Sequence, residues 1–142
     1  MDEVVHFEIP ADDLDRSQRF YRETFGWEIA EVSMPEAEYY IANTVPTDSQ
    51  GLPREPGAIN GALMRRENSG QSPIIVISVS SVADYLEKAE RGGSRVVLAT
   101  QQVGDMGLYA RICGTEGNCG RSLARSKIEC DSHHGGIEKC PR

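Results

Sequence analysis

The strongest constraint on the fold is a repetition: one order of predicted elements occurs twice along the 142 residues. In the first half, residues 4–10 are apolar and β-branched, which is typical of a strand. A helix follows, with Asp12 as its predicted N-cap and Gly26 as its C-terminal stop. Three further strands are predicted over residues 27–33, 38–42 and 58–65.

The second half repeats this order after a short polar linker. A strand is predicted over residues 74–79, and a helix begins after Ser81 and ends at Gly92. Two strands over residues 94–99 and 108–113 follow, and a last one comes after the turn at residues 114–118. The chain therefore predicts a first module over residues 1–66, a linker over 67–72 and a second module over 73–124. With one helix covering one face of each sheet, the uncovered concave faces would together form a pocket.

Charge and hydropathy exclude several classes of protein. The net charge is −7, which disfavours a nucleic-acid binder and a protein that docks on anionic lipid. No stretch approaches the roughly 18 apolar residues of a membrane helix. The acidic start Met1-Asp2-Glu3 is unlike a signal peptide. We therefore expect a cytoplasmic protein that acts without nucleic acid or membrane.

The C-terminal part differs in composition from the rest. Residues 1–113 hold 10 basic and 18 acidic residues, a balance of −8, whereas residues 114–142 hold 5 and 4, a balance of +1. All nine aromatic residues lie at or before Tyr109, and all four cysteines lie at or after Cys113. Because nothing else indicates an oxidising compartment, the cysteines are expected to be free thiols. After Asn118 the alternation of apolar and polar residues is poor, which predicts that the last strand is weak or missing.

Residues 125–142 are predicted to be a disordered tail. A reading-frame change near Asn118 would leave such an unselected end, and a genuine appendage is the second explanation. The third explanation is a zinc site, which has the right donor types but lacks the usual paired spacing. Its donors would be Cys130, His133, His134 and Cys140.

Four segments, in order, carry a family resemblance. They are HFEIPADDLDRSQRFYRETFGW over residues 6–27, PGAINGALMRR over 56–66, VSSVADYLEKAERGGSRVV over 79–97 and GDMGLYARICGTEGN over 104–118. Together they resemble the vicinal oxygen chelate superfamily, which includes glyoxalase I, bleomycin-resistance proteins and extradiol dioxygenases. The resemblance implies an α+β fold of two paired βαβββ modules that form a U-shaped, incomplete barrel. It also implies that the chain forms a homodimer.

The resemblance implies a divalent metal as cofactor, but most of the expected ligands are absent. In the superfamily the metal acts as a Lewis acid on two substrate oxygens, and its donors lie on the first and last strands of each module. His6 matches the first donor, whereas the equivalent position in the second module is Ile74. Arg121 occupies the region where a glutamate is usual, and residues 58–65 contain no histidine or carboxylate. His6 alone of four expected metal ligands is present.

Glu8 lies two residues from His6, so both side chains point to the same face of the strand. They are the candidate catalytic residues, as an acid–base pair or as two metal ligands. The plainer interpretation is that His6 is a hydrogen-bonded, half-buried residue and that Glu8 lines a wet cavity or pairs with an arginine. Other residues that the strands would place near the pocket are Asn60, Met64, Tyr39, Tyr40 and Tyr109.

These features predict a protein that binds a small oxygenated organic molecule in the concave cavity. In an enzymatic version it transforms that ligand by lyase, isomerase or dioxygenase chemistry. The alternative is a non-catalytic protein of bleomycin-resistance type that sequesters a small molecule without a metal. The missing ligands favour the alternative, and the His6–Glu8 pair favours the enzyme.

Overall fold

A computed structural model describes residues 1–33, 37–103 and 107–124 of the chain. Within these residues lie eight strands and two helices, in the repeated order that the sequence predicts. The first half contains β1 Val4–Ala11, α1 Leu14–Phe25, β2 Glu28–Val32, β3 Tyr39–Asn43 and β4 Gly61–Arg65. The second half contains β5 Ile74–Ser78, α2 Val82–Arg91, β6 Arg95–Val103, β7 Gly107–Cys113 and β8 Cys119–Ala124.

The ends of the helices follow from local capping. The N-cap of α1 is Asp13, not Asp12 as the sequence predicted, and its carboxylate accepts a hydrogen bond of 2.9 Å from the backbone N of Arg16. Asp12 instead accepts a bond of 3.0 Å from Arg66 Nε. Gly26 ends α1 in the left-handed conformation with φ 70°, as predicted. In the described part of the chain, neither helix is long and apolar enough to cross a membrane.

All eight strands form one sheet in the order β2-β3-β4-β1-β5-β8-β7-β6. In the first half β4 lies parallel to β1, and in the second half β8 lies parallel to β5 in the same way. The antiparallel pair β1 and β5 joins the two halves at the centre. Each half thus has the βαβββ order, and the predicted α+β fold of two paired modules in an incomplete barrel is confirmed.

Two hydrophobic clusters hold the helices against the sheet. In the first half, Leu14 of α1 packs with buried side chains of β2 to β4, among them the fully buried Leu63. In the second half, Val82 of α2 packs with Val79 and Ala110. Both clusters lie on the helix-covered face of the sheet.

The last strand, predicted to be weak or missing, is present as β8. It pairs with β5 on one side and with β7 on the other, so its backbone groups are bonded in both directions. This backbone pairing stabilises the strand despite the poor alternation of apolar and polar residues in its sequence. Gly120 fits the close approach, because a Cβ there would lie 3.3 Å from the carbonyl oxygen of Ile75. The predicted tail and the zinc-site residues lie in 125–142, outside the described residues.

The expectation of four free thiols is wrong for two of the cysteines. Cys113 and Cys119 form a disulfide, with Cα atoms 3.9 Å apart. The β7–β8 register places these residues directly opposite each other. A separation of six residues does not reveal this pairing until the register of the hairpin is known.

Candidate functional site

His6 and Glu8 lie on the concave face of the sheet, opposite the helices. The neighbouring residues Phe7 and Ile9 point the other way, and Ile9 packs against the first hydrophobic cluster. Because paired residues share a face, the strand registers identify the other members of the concave face. They include Tyr39, Ala62, Met64, Ile74, Val76, Tyr109, Arg111 and Arg121.

Glu8 is the buried charged group at the centre of this face. Only 3% of its surface is exposed. Its Oε1 accepts a bond of 2.9 Å from Arg121 Nη1 and a longer contact of 3.4 Å from the Tyr39 hydroxyl. Its Oε2 is buried and has no hydrogen-bond partner among the described residues. One carboxylate oxygen is therefore held in place, and the other can accept a further hydrogen bond.

Burial is the main cause of the shifted pKa of Glu8. Loss of water raises the pKa of this carboxyl above its usual value. Arg121, the Tyr39 hydrogen bond and Arg111 act in the opposite direction and do not cancel it. A carboxylate with a raised pKa is a stronger base than a solvated one, which suits proton transfer near neutral pH.

His6 and Tyr39 sit beside Glu8 as neutral groups. His6 Nε2 lies 3.1 Å from the Tyr39 hydroxyl. Burial, together with the charge of Arg121, lowers the pKa of His6 to about 4, so the imidazole is neutral at pH 7. Burial and the Glu8 carboxylate raise the pKa of Tyr39, so its phenol keeps its proton. Both side chains are then neutral hydrogen-bonding groups, and neither brings a charge.

Two arginines of the second half lie on the same concave face as Glu8. Arg111 on β7 and Arg121 on β8 are directly paired in the sheet. The Arg121 guanidinium carbon lies 4.9 Å from the centre of the Tyr109 ring, a stacking contact that orients it. The Nε atoms of both arginines are buried and have no hydrogen-bond partner among the described residues. These donors are the clearest unfilled hydrogen-bonding capacity on the concave face.

The described residues do not fit a divalent metal. No group of three or more histidine, cysteine or carboxylate residues lies close enough to hold one in residues 1–33, 37–103 and 107–124. The one predicted ligand, His6, is hydrogen-bonded to Tyr39, and the Ile74 side chain opposite Glu8 offers no donor. The guanidinium of Arg121 places a positive charge beside Glu8, where it would repel a cation.

The predicted pocket residues have different surroundings. Tyr109 lies on the concave face, stacks on Arg121 and donates a bond of 3.1 Å to Gln101. Asn60 is buried, and its Oδ1 accepts bonds from the backbone and hydroxyl of Thr44, so it ties β4 to the end of β3. Met64 pairs with Tyr39 in the register and shares its face.

The structure also separates two tyrosines that the sequence treated alike and adds an arginine. Tyr39 reaches Glu8 and His6, whereas Tyr40 packs against the first hydrophobic cluster on the helix side. Sequence reasoning missed Arg111 as a site residue. Its signal was present, because Arg111 lies two residues after Tyr109 and therefore on the same strand face.

Two surface clefts lie elsewhere, on the helix side. A cleft of about 410 Å³ is lined by charged residues along α1, and one of about 220 Å³ lies between the start of α1 and the strands beneath it. Neither contains Glu8 or His6. Since both are open and lack a buried titratable group, we place the candidate site on the concave face.

Comparison with known proteins supports the fold. A family model described as bleomycin resistance protein-like N-terminal matches residues 3–40, the segment that carries His6, Glu8 and Tyr39. The predicted resemblance to the vicinal oxygen chelate superfamily is confirmed. No curated protein matches the sequence.

Solved structures related to this superfamily share the fold. A methylmalonyl-CoA epimerase from Streptomyces coelicolor, in complex with 2-nitronate-propionyl-CoA, is 20% identical, with a TM-score of 0.63 over 87% of this chain and 97% of that one. The Mycobacterium tuberculosis methylmalonyl-CoA epimerase is 13% identical, with a TM-score of 0.63 over 87% and 88%. A hypothetical protein from Bacillus halodurans is 11% identical, with a TM-score of 0.66 over 89% and 96%. At these identities the likeness establishes the fold.

Proposed function

We propose that the concave face binds a small oxygenated organic molecule and that Glu8 transfers a proton on it. The observation that carries this proposal is the buried Glu8 carboxylate, of which one oxygen is fixed by Arg121 and the other has no partner among the described residues. A buried carboxylate with a raised pKa and one oxygen without a partner among the described residues is the arrangement expected of a general base.

The chemistry that fits is proton transfer at a carbon next to a carbonyl. Glu8 Oε2 takes the proton, the C–H bond breaks, and its electron pair moves into the carbonyl to give an enolate oxygen. Return of the proton to the same face of the carbon regenerates the substrate, and return to the other face completes an isomerisation. The neutral phenol of Tyr39 and imidazole of His6 lie beside Glu8 and can hydrogen-bond to substrate oxygens. The similar solved structures named as epimerases support the isomerase class for this chain.

Isotope exchange tests the proposal directly. The protein is incubated in D2O with methylmalonyl-CoA, with a glutathione hemithioacetal and with catechol, and deuterium incorporation is followed by proton NMR. We expect exchange at a carbon next to a carbonyl in at least one compound. Glu8→Gln should slow this exchange by roughly 100-fold or more, because an amide cannot act as the base. The matched control is Glu116→Gln, which removes an exposed carboxylate from the β7–β8 turn and should leave the rate unchanged.

A second candidate function is sequestration without catalysis. The match of residues 3–40 to a bleomycin resistance protein-like model favours it. So does the Tyr109–Arg121 stack, which offers a binding surface that needs no metal. Sequestration predicts ligand binding that is saturable by calorimetry, with no exchange in D2O and no effect of Glu8→Gln on any rate. Exchange that depends on Glu8 would contradict it.

A further inference from the structure

We infer that Arg111 and Arg121 bind a carboxylate group of the ligand, so that a pair of guanidinium groups does here the charge-stabilising work of a metal ion. This inference rests on the proposed function, since it names the chemical class of the ligand for the same site. It predicts a small organic acid rather than a neutral carbonyl compound.

The placement of the two arginines is the first argument. They are paired across β7 and β8, so their side chains leave the sheet side by side on the concave face. The Nε of each is buried without a hydrogen-bond partner among the described residues. Buried donors of a charged group are costly to leave unpaired, and a ligand with two acceptor oxygens would satisfy both.

The charge balance of the site is the second argument. Arg121 is neutralised by Glu8 at 2.9 Å. Arg111 has no salt bridge among the described residues, although it lies near enough to Glu8 to lower the pKa of that carboxyl. His6 and Tyr39 are neutral at pH 7. The exposed Glu67 also acts on Glu8, but the side chains on the concave face carry two positive charges and one negative charge. The unmatched positive charge fits one carboxylate group of a ligand.

Pre-organisation is the third argument. Arg121 is held by two contacts, the Glu8 bond and the Tyr109 ring, and Tyr109 is itself fixed by its bond to Gln101. A guanidinium that is already oriented loses little conformational freedom when it binds a planar anion. The same carboxylate would lie beside Glu8, so that the acidic carbon of the ligand is close to the base.

The test compares an acid with its neutral ester. Binding of malonate, dimethyl malonate and inorganic phosphate to the full chain is measured by calorimetry, with and without EDTA. We expect malonate to bind at least tenfold more tightly than the ester, with the same Kd in EDTA. Equal binding of acid and ester would overturn the inference, and so would loss of malonate binding in EDTA that is restored by a divalent ion. Tighter binding of phosphate than of malonate would overturn the assignment to a carboxylate.

Arg111→Gln is the decisive variant, because Arg111 makes no ion pair in the described structure and its loss should leave the fold intact. It should weaken malonate binding by roughly tenfold and leave ester binding unchanged. The control Arg91→Gln removes an exposed arginine that pairs with Glu87 on α2 and should change neither. Unchanged malonate binding in Arg111→Gln would overturn the inference.

The two proposals fail separately. If malonate binds through the arginines but no compound exchanges deuterium, proton transfer by Glu8 is wrong and the carboxylate site stands. If exchange depends on Glu8 but acid and ester bind equally, the carboxylate site is wrong and the proton transfer stands.

Discussion

The two halves of the sheet share one topology but carry opposite chemistry on their concave faces. The first half supplies Glu8, His6 and Tyr39, which are acidic or neutral. The second half supplies Arg111 and Arg121, which are cationic. On the covered faces the halves remain alike, since each packs one amphipathic helix on an apolar cluster. The repeat therefore determines the path of the backbone, whereas the candidate site forms where the two different concave faces meet.

The largest expected effect concerns the covered faces, where the comparison predicts similar behaviour. Leu63 and Val82 are the largest fully buried side chains of the two clusters. Leu63→Ala should lower the free energy of unfolding by about 3–4 kcal/mol, and Val82→Ala by about 2 kcal/mol, because fewer buried carbons are lost. Urea denaturation measures both. A much larger loss for Val82→Ala would show that the second half holds the fold together.

The next effect tests the contact that joins the two concave faces. Arg121→Gln should destabilise the protein by about 3 kcal/mol, because it leaves Glu8 buried without its partner. The double variant with Glu8→Gln should recover part of this loss. In contrast, Arg65→Gln breaks an exposed pair with Glu38 and should cost at most about 1 kcal/mol. Equal effects of Arg121→Gln and Arg65→Gln would mean that the buried pair does not join the halves.

The pH dependence of stability sharpens the comparison within the first half. The pKa of His6 falls from 6.5 when unfolded to about 4 when folded, so the unfolded state binds more protons between these values. Its contribution is complete above pH 6.5 and is lost as the pH falls toward 4, by at most about 3 kcal/mol. His6→Gln should therefore flatten the decline of stability between pH 7 and pH 4, measured by thermal unfolding.

Glu8 should change the pH dependence of stability in the opposite direction. Its pKa is raised in the folded state, so its contribution is complete below the unfolded value of 4.5 and decreases as the pH rises through the folded value. Glu8→Gln should consequently make the decline on acidification steeper than in the unmodified protein. An identical slope in both variants would contradict the burial of these two groups.

The smallest expected effect concerns the helix caps. Asp13→Ala and Ser81→Ala remove the N-cap acceptors of α1 and α2 and should each cost about 1 kcal/mol. Asp12→Ala should cost less, since Asp12 makes only an exposed pair with Arg66. If Asp12→Ala costs more than Asp13→Ala, the N-cap of α1 is Asp12 after all.

Much of the fold could be predicted from the sequence because its signals are local. Strand and helix periodicity, Gly26 and Ser81 predict the element order without knowledge of the tertiary structure. The predicted N-cap of α1 was wrong by one residue, because Asp12 and Asp13 have the same side chain and either could act as the cap. The last strand was predicted to be weak or missing because its residue pattern is poor. It forms as β8 because its backbone pairs with both β5 and β7.

The candidate site could also be predicted only in part. The common face of His6 and Glu8 could be predicted, because residues two apart on one strand point to the same side. The two arginines could not be joined to them, because Arg121 is 113 residues from Glu8 along the chain. The Cys113–Cys119 disulfide likewise required the register of the β7–β8 hairpin.

By itself the sequence determined a duplicated βαβββ chain and placed an acid and a histidine on the inner face of its first strand. Only the tertiary structure decided which groups face them, namely Tyr39 from one half and Arg121 from the other. The physical reason is that periodicity specifies the face to which a side chain points, whereas contacts between distant strands depend on sheet order and register. The charge and the pKa values of the site follow from those contacts and from burial.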